Sequence, residues 1–297
     1  MEVQRQILLF FSSIQNPFFN VLVQGITLFG EELVQIAIVM AVFWCMDKKK
    51  GFAAALALLA ENSVLNAVKA IVRFPRPWTV YPELNSLRKE TATGYSFPSG
   101  HTGSAAALYG SMAVLFRKRV LSIICAVLIL LVGLSRLYLC VHWPLDVAGG
   151  LLLGMACALI LARKFYSMAD KPEKLLPVLR WGGVAALAVS LALAILVQTG
   201  VAEEILFTDL YKALAMLGAA MLSYSIEEKS CNFKTGGSTG RKILRYIAGM
   251  AVASLLLVGL KYALPYLPVF SFIRYALTAT WCCLLYPMLG KKLHLFD

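Results

Sequence analysis

Charged side chains are scarce in this sequence, and several long stretches have none. Only 15% of the 297 residues are charged, 60% are hydrophobic, and the mean hydropathy is +0.74. With their flanks, four uncharged stretches approach the roughly 20 residues that cross a bilayer: 121–134, 147–161, 184–197 and 247–260. This scarcity excludes a soluble domain, and we predict an all-α fold, a polytopic transmembrane helical bundle.

We also expect no cleavable signal peptide and no cysteine framework. The first 16 residues include charged residues and glutamine and show no small-residue cleavage site. We predict that they form a short amphipathic segment on the outer membrane surface. Six of the seven cysteines lie inside apolar runs, which is typical of small buried side chains rather than of disulfides or metal ligands.

Nine spans can be marked along the chain: 31–46, 51–73, 99–116, 120–139, 144–162, 178–198, 206–224, 243–263 and 267–289. They divide the chain into an N-terminal interfacial segment (1–30), a core that holds the polar clusters (31–200), and three additional spans with a cytoplasmic loop (201–297).

The net charge of +12 follows from where the cations lie. Of the 28 Lys and Arg residues, 18 fall on one side of the nine spans. The positive-inside rule places that side and the C-terminus in the cytoplasm, and the N-terminus outside. Membrane topology thus accounts for most of the charge, and we expect no nucleic-acid partner. We predict an integral cell membrane protein.

The remaining polar residues form three clusters at the outer ends of spans, where ionisable groups are costly without a use. The first cluster runs from Lys69 to Arg76 and Pro77. Four polar residues share one helix face here and are predicted to face the bundle interior: Asn62, Asn66, Lys69 and Arg73. We expect the asparagines to form interhelical hydrogen bonds, and Lys69 to need an anionic partner. Pro75 and Pro77 end the helix and hold Arg76 at its exit.

The second cluster is Pro98-Ser99-Gly100-His101, which has the pattern of a helix start. Ser99 is suited to the N-cap position, and the free backbone N–H groups beyond it favour an anion. The loop before it (78–97) is rich in aromatic residues, which suit either an interfacial belt or a lid.

The third cluster joins Ser135 and Arg136 to His142 and Asp146. Pro144 suits the first position of a new helix, so the carboxylate of Asp146 can reach back to His142, four residues earlier. Such a contact selects one imidazole tautomer and turns the other ring nitrogen outward.

Fixed cations, a helix N-terminus and two histidines suit phosphoryl transfer. The cations stabilise the phosphate oxygens, and one histidine attacks while the other protonates the leaving oxygen. The residues alone do not decide which histidine attacks, although the Asp146 partnership favours His142. A metal site built from His101, His142 and Asp146 is the rival hypothesis. The neighbouring cations disfavour it, and we expect no metal and no cofactor.

The three clusters together resemble the signature of the type 2 phosphatidic acid phosphatase superfamily, which are membrane lipid phosphate phosphatases. The resemblance rests on Lys69 with Arg76-Pro77, on Pro98-Ser99-Gly100-His101, and on Ser135-Arg136 with His142 and Asp146. It implies that His142 is the nucleophile, that Asp146 orients it, and that His101 protonates the leaving alkoxide and later activates water. It also implies a set of phosphate-binding residues: Lys69, Arg76, Ser99, Gly100 and Arg136.

A nine-span layout resembles the glucose-6-phosphatase and sphingosine-phosphate phosphatase branches of this superfamily. We therefore expect hydrolysis of a lipid phosphate or pyrophosphate, with a soluble sugar phosphate as the alternative substrate. A transporter of phosphate or phospholipid is the alternative of another class. The role of the additional spans stays open between a lipid gate, a homodimer contact and simple packing.

Overall fold

The structure is a computed structural model that describes residues 1–89 and 92–297, and within these ranges it contains helices and loops but no strand. In chain order the helices are α1 (Glu2–Ser13), α2 (Pro17–Thr27), α3 (Glu32–Cys45), α4 (Lys48–Val72), α5 (Pro77–Val80), α6 (Gly100–Phe116), α7 (Arg119–Tyr138), α8 (Pro144–Met168), α9 (Pro172–Gln198), α10 (Glu204–Ser230), α11 (Thr239–Ala263) and α12 (Pro268–Lys292). Single π-helical turns interrupt three of them: α8, α11 and α12.

Each of the nine predicted spans coincides with a helix, and the all-helical membrane fold is confirmed. Within the described ranges, seven helices are long and apolar enough to cross a bilayer. The other two, α3 with 14 residues and α6 with 17, are about 21 and 25 Å long at 1.5 Å per residue. Both are shorter than a hydrocarbon core of about 30 Å. The nine-span layout and its orientation therefore stay predictions.

The N-terminal segment folds into two helices with a bend of 118° between Glu2–Ser13 and Pro17–Gly30. Asn16 begins the second helix by accepting a hydrogen bond from the N–H of Phe19 (3.0 Å). Leu8 is buried against Trp143 and Cys140, which lie between α7 and α8. Residues 1–30 thus cover one end of the helical core. Their position on a membrane surface stays a prediction.

Glycines let α8 approach α6 closely. A Cβ on Gly150 would lie 2.4 Å from the carbonyl oxygen of Ser99, and one on Gly154 would lie 2.2 Å from that of Gly103. Small residues are the usual means by which membrane helices pack this tightly. The first turns of α6 and α8 are joined directly, because the N–H of Ser99 donates to the carbonyl of Asp146 (2.9 Å).

The C-terminal helices α10 to α12 pack directly on the core. Lys48 at the start of α4 lies 2.6 Å from Glu227 and 2.9 Å from Glu228, both on α10. On α11, Arg245 donates to the Trp44 carbonyl at the end of α3 (2.7 Å). These contacts hold α10 and α11 against α3 and α4. The division of the chain at residue 200 stays a prediction.

Candidate active site

The three polar clusters meet in one cavity of about 600 Å³ at the end of the bundle where α4 ends and α6 begins. Six of the eight predicted site residues line it: Lys69, Arg76, Gly100, His101, Arg136 and His142. The other two, Ser99 and Asp146, are fully buried beside it: Asp146 contacts His142, and the N–H of Ser99 donates to the Asp146 carbonyl. The fold therefore brings together residues that lie up to 77 positions apart in the chain, from 69 to 146.

The end of α4 presents Lys69 and Arg76 to the cavity. Lys69 lies in the last turn, and the helix ends with Arg73 in the left-handed conformation (φ 50°). Arg76 then occupies the N-cap position of α5, with Pro77 in its first turn. The two prolines thus act as predicted, since they end one helix and begin the next.

Two expectations for the polar face of α4 are wrong. The side-chain amides of Asn62 and Asn66 do not bridge helices but donate to carbonyls one turn earlier in α4, those of Leu58 and Asn62 (3.1 and 2.9 Å). Both asparagines line the cavity. Arg73 turns away from it towards Glu203 (3.7 Å), because the left-handed residue ends the helical periodicity on which the expectation depended.

The second cluster starts α6 as predicted, with Ser99 at the N-cap and His101 in the first turn. The hydroxyl of Ser99 makes no capping hydrogen bond from this position and instead accepts one from Thr102 Oγ1 (3.1 Å). Nε2 of His101 is buried and has no partner among the described residues. A polar ring atom left this way in a cavity is available to a ligand.

The third cluster fixes the orientation of His142. Its Nδ1 lies 3.3 Å from Oδ2 of Asp146, one turn further on in α8. The same carboxylate oxygen accepts from the N–H of Trp143 (2.8 Å) and from the hydroxyl of Ser96. The carboxylate is thus held at the helix start by three donors, and it aligns the imidazole.

The contact between Arg76 and His142 decides the imidazole tautomer. Arg76 Nη1 lies 3.0 Å from His142 Nε2. Because a guanidinium has no acceptor, Nε2 must carry the lone pair, and Nδ1 carries the proton that Asp146 accepts. Arg76 itself is held by the carbonyls of Val141 (3.0 Å), Gly94 (3.1 Å) and Thr93 (2.5 Å).

The charge state of His142 also follows from its surroundings in the loop between α7 and α8. Burial is the largest effect that lowers its pKa, and the positive charges of Arg76 and Arg136 add to it, so the pKa lies well below the ordinary 6.5. The imidazole is therefore neutral at pH 7, and its Nε2 keeps a lone pair, which accepts the hydrogen bond from Arg76 in the free protein.

Arg136 is anchored at one nitrogen and open at the others. It is 1% exposed, and its Nη1 donates to Thr27 Oγ1 at the end of α2 (2.7 Å). Nε and Nη2 have no partner in the described part of the chain. A buried guanidinium with free N–H groups beside two histidines suits the oxygens of a phosphate.

Several residues around the cavity carried no sequence signal as site residues. Thr27 holds Arg136, Ser96 shares the Asp146 carboxylate, and Arg88 lines the cavity while donating to Glu31 (2.6 Å). The C-terminal helices contribute a further group: Asp209, Lys212, Ala213, Met216, Lys261 and Tyr275. Single polar residues in loops and apolar helices match no motif, so only their positions in the fold reveal them.

Within residues 1–89 and 92–297, no three His, Cys, Asp or Glu side chains are grouped so that they could hold a metal ion. The predicted metal-free site is not tested by this arrangement. The cations and the two histidines that line the cavity are the groups that an entering ligand would meet.

Comparisons with known proteins agree with the signature. The profile described as the PAP2 superfamily matches residues 50–168, and that described as the PAP2 superfamily phosphatase transmembrane extension matches residues 211–297. Phosphatidylglycerophosphatase B of Bacillus subtilis is 32% identical over 156 residues, which cover 48% of this chain and 73% of that protein. The chain belongs to the PAP2 superfamily. The resemblance to type 2 phosphatidic acid phosphatases is thereby confirmed, and so is the prediction of a phosphatase.

Two further relatives cover less of their own length. Human sphingosine-1-phosphate phosphatase 2 is 28% identical over 56% of this chain and 43% of its own length. Undecaprenyl-diphosphatase BcrC of Bacillus subtilis is 35% identical over 36% of this chain and 52% of its own. All three relatives are phosphatases named for lipid phosphates. The PAP2 match spans α4 to α8, the helices that carry the three clusters.

Proposed function

We propose that this protein hydrolyses a phosphate or pyrophosphate ester of an amphiphilic lipid through a phosphohistidine intermediate, without a metal ion. The observation that carries the proposal is the geometry of His142. Its Nδ1 is held by Asp146, and its Nε2, which accepts from Arg76 Nη1 in the free protein, carries the lone pair at the cavity wall. An oriented, neutral imidazole among fixed cations is suited to attack a phosphorus atom.

In the first step, Arg76 Nη1 transfers its hydrogen bond from His142 Nε2 to a phosphate oxygen, Nε2 attacks the phosphorus, an N–P bond forms, and the bond from phosphorus to the ester oxygen breaks. His101, which shares the cavity with the bound phosphate, transfers a proton to the departing oxygen. Lys69, Arg76 and Arg136 stabilise the charge on the three remaining oxygens. The helix α6 begins at Gly100, directly after Ser99, and the backbone N–H groups of its first turn add partial positive charge.

In the second step, neutral His101 takes a proton from water, and the hydroxide attacks the phosphohistidine. The N–P bond breaks, inorganic phosphate leaves, and His142 recovers its lone pair. Asp146 stabilises the imidazole throughout, because its carboxylate accepts the Nδ1 proton in the free and the phosphorylated forms.

A lipid substrate is favoured by the lining of the cavity and by the relatives. Beside the cations the cavity has an apolar wall: Leu33, Ile36, Leu58, Leu59, Leu65 and Met216. The relatives are named for phosphatidylglycerophosphate, sphingosine phosphate and undecaprenyl diphosphate. We infer that the substrate is a lipid of this class and that the site faces the extracytoplasmic side, as the distribution of Lys and Arg favours.

The test is phosphate release by the purified protein in nonionic detergent with EDTA. We expect hydrolysis of at least one of phosphatidic acid, sphingosine phosphate and undecaprenyl diphosphate, and a loss of at least 10³-fold in His142→Ala. Full activity of that variant would refute the assigned nucleophile. Release from hexose phosphate alone would favour the sugar-phosphate alternative, and no release from any substrate would favour a transporter.

Orientation has a separate test. In a cysteine-free background, Lys89→Cys places a thiol at an exposed position of the loop before α6. We expect it to react with an impermeant thiol reagent in intact cells. Labelling only after permeabilisation would place the site in the cytoplasm.

A further inference from the structure

The C-terminal helices form part of the wall of the catalytic cavity. Asp209 and Lys212 on α10, Lys261 on α11 and Tyr275 on α12 all line it. Asp209 also accepts a hydrogen bond from Thr93 Oγ1 (3.0 Å), in the loop that holds Arg76. These helices are therefore in contact with the space that a substrate would occupy.

A second cavity of about 330 Å³ adjoins the first. The two share five lining residues: Glu32, Leu33, Lys212, Lys261 and Tyr275. Apart from Glu32 and Leu33, every described residue that lines the second cavity belongs to α10 to α12 or to the loop between α11 and α12. A group that leaves the catalytic cavity past Tyr275 would enter this space.

The second cavity has an excess of positive charge. Three cations line it, Lys212, Lys261 and Arg274, whereas Glu32 is the one acidic residue in its described lining. The Glu32 carboxylate accepts from the hydroxyl of Tyr275 (3.2 Å). Lys212 lies 3.8 Å from Asp209, and neither Lys261 nor Arg274 has an ion pair among the described residues.

Arg274 is the informative member of this group. It lies in the second turn of α12, is 7% exposed, and donates from Nη1 to the Leu257 carbonyl (3.3 Å). Lys261, near the end of α11, can extend to the membrane surface, as lysines at helix ends commonly do. The Arg274 guanidinium also lies over the ring of Tyr275, 5.1 Å from the ring centroid, but no carboxylate pairs with it in the described part of the chain, and a buried arginine without one in an apolar helix favours a ligand.

We propose that the second cavity, through Lys212, Lys261 and Arg274, binds a second phosphate group of the substrate, so that lipids with another phosphate besides the one removed are preferred. A planar guanidinium and two ammonium groups match phosphate oxygens, and the hydroxyl of Tyr262, which also lines the cavity, can supply a further donor. This inference rests on the proposed phosphatase activity and gives the C-terminal helices a role in choosing the substrate.

The test compares lipids that differ in the second phosphate. Phosphatidylglycerophosphate has a phosphodiester separated from its terminal phosphate, undecaprenyl diphosphate has two phosphates joined directly, and phosphatidic acid has one. For each protein we take the ratio of kcat/KM with a two-phosphate lipid to kcat/KM with phosphatidic acid. We expect this ratio to fall about tenfold or more in Arg274→Gln and in Lys261→Gln.

Two variants are needed because a fall in the ratio could also come from a disturbed fold. Arg274 is buried, so its loss can disturb folding, whereas Lys261 is exposed, and we expect its substitution to leave the fold intact. The matched control is Lys292→Gln, an exposed lysine at the opposite end of α12, which leaves the ratio unchanged. A fall with only one of the two-phosphate lipids identifies which spacing the cavity accepts. An unchanged ratio with both lipids in both variants would overturn the proposal.

A failure of the proposed enzyme activity is distinguishable from a failure of this inference. Equilibrium binding of the same lipids to the His142→Ala protein needs no turnover. We expect tighter binding of a two-phosphate lipid than of phosphatidic acid, and loss of that preference when Arg274→Gln is added. Equal binding of all three lipids would contradict the second phosphate site even if hydrolysis were observed.

Discussion

Buried cations occur at both ends of the helical bundle, but their surroundings differ. At the start of α4, Lys48 is paired with Glu227 and Glu228, and nearby Arg245 donates to three backbone carbonyls at 2.7 to 2.8 Å. At the other end of α4, Arg136 has one side-chain partner, Thr27, and two nitrogens with none among the described residues. Lys69 has no ion pair in the described part of the chain.

The cations at the start of α4 hold helices together through partners in the protein. At the other end of α4, Arg136 has N–H groups that no described residue accepts and that a ligand could use. Buried polar groups are almost always satisfied in native structures, and an unsatisfied one calls for a specific explanation. At the Lys48 end the explanation is helix packing, since every partner belongs to the protein. At the Arg136 end we propose that phosphate oxygens supply the missing partners.

The largest expected effect is on catalysis and comes from Arg136, two of whose nitrogens have no partner among the described residues. Arg136→Gln removes N–H groups aimed at the developing charge, so we expect kcat/KM to fall about 10² to 10³-fold. Thermal stability should be unchanged or higher, because the substitution removes a charge with unmet hydrogen bonds. The measurements are phosphate release and the Tm in detergent.

Arg136→Lys serves as the matched variant, since it keeps the charge but loses the planar fork. We expect intermediate activity. A large drop in Tm for either variant, with normal specific activity of the folded fraction, would assign Arg136 to packing and remove the contrast between the two ends.

The next largest effect is on the stability of the protein and comes from Lys48, which is paired with Glu227 and Glu228. Lys48→Gln leaves Glu227, whose side chain is fully buried, without its cation, at a cost of about 3 kcal/mol. For a chain of this size we expect Tm to fall by roughly 6 to 12 °C. The kcat/KM of the protein that remains folded should not change.

Lys49→Gln is the control for this substitution. Lys49 lies next to Lys48 but pairs with Asp170 on the surface, where ion pairs contribute little. If both variants had the same Tm, the buried Lys48 cluster would not stabilise the fold as inferred.

The smallest effect concerns the single anchor of Arg136. Thr27→Val removes the hydroxyl that accepts from Nη1 while it preserves the shape of the side chain. We expect kcat/KM to fall about 3 to 10-fold, which corresponds to the loss of one hydrogen bond of ordinary strength, about 0.7 to 1.4 kcal/mol. Thr27→Ser should restore activity, because it retains the hydroxyl.

If both the Val and the Ser variants kept the full activity of the unaltered protein, Arg136 would be oriented without Thr27. Equal loss in both would indicate that the methyl group packs α2 in place, and that the hydroxyl has no positioning role.

The membrane class and the helices follow from the sequence because both depend on local composition and on Pro and Gly positions. The end of α4 before Pro75 and the start of α8 at Pro144 are examples, since proline fixes the local geometry. The spacing of His142 and Asp146 was equally readable, because one helical turn joins them. Arg73 shows the limit, since its left-handed conformation was not evident from helical periodicity.

The sequence by itself thus determined a helical membrane phosphatase of a known superfamily and the residues of its signature. Only the tertiary structure decided that Thr27 holds Arg136 across 109 positions, that Ser96 shares Asp146, and that Arg274 lines a cavity beside the catalytic one. The physical reason is that a single polar residue in an apolar helix has the same local pattern whether it faces lipid, a neighbouring helix or a cavity. Helix packing makes that choice, and it placed the C-terminal helices beside the site.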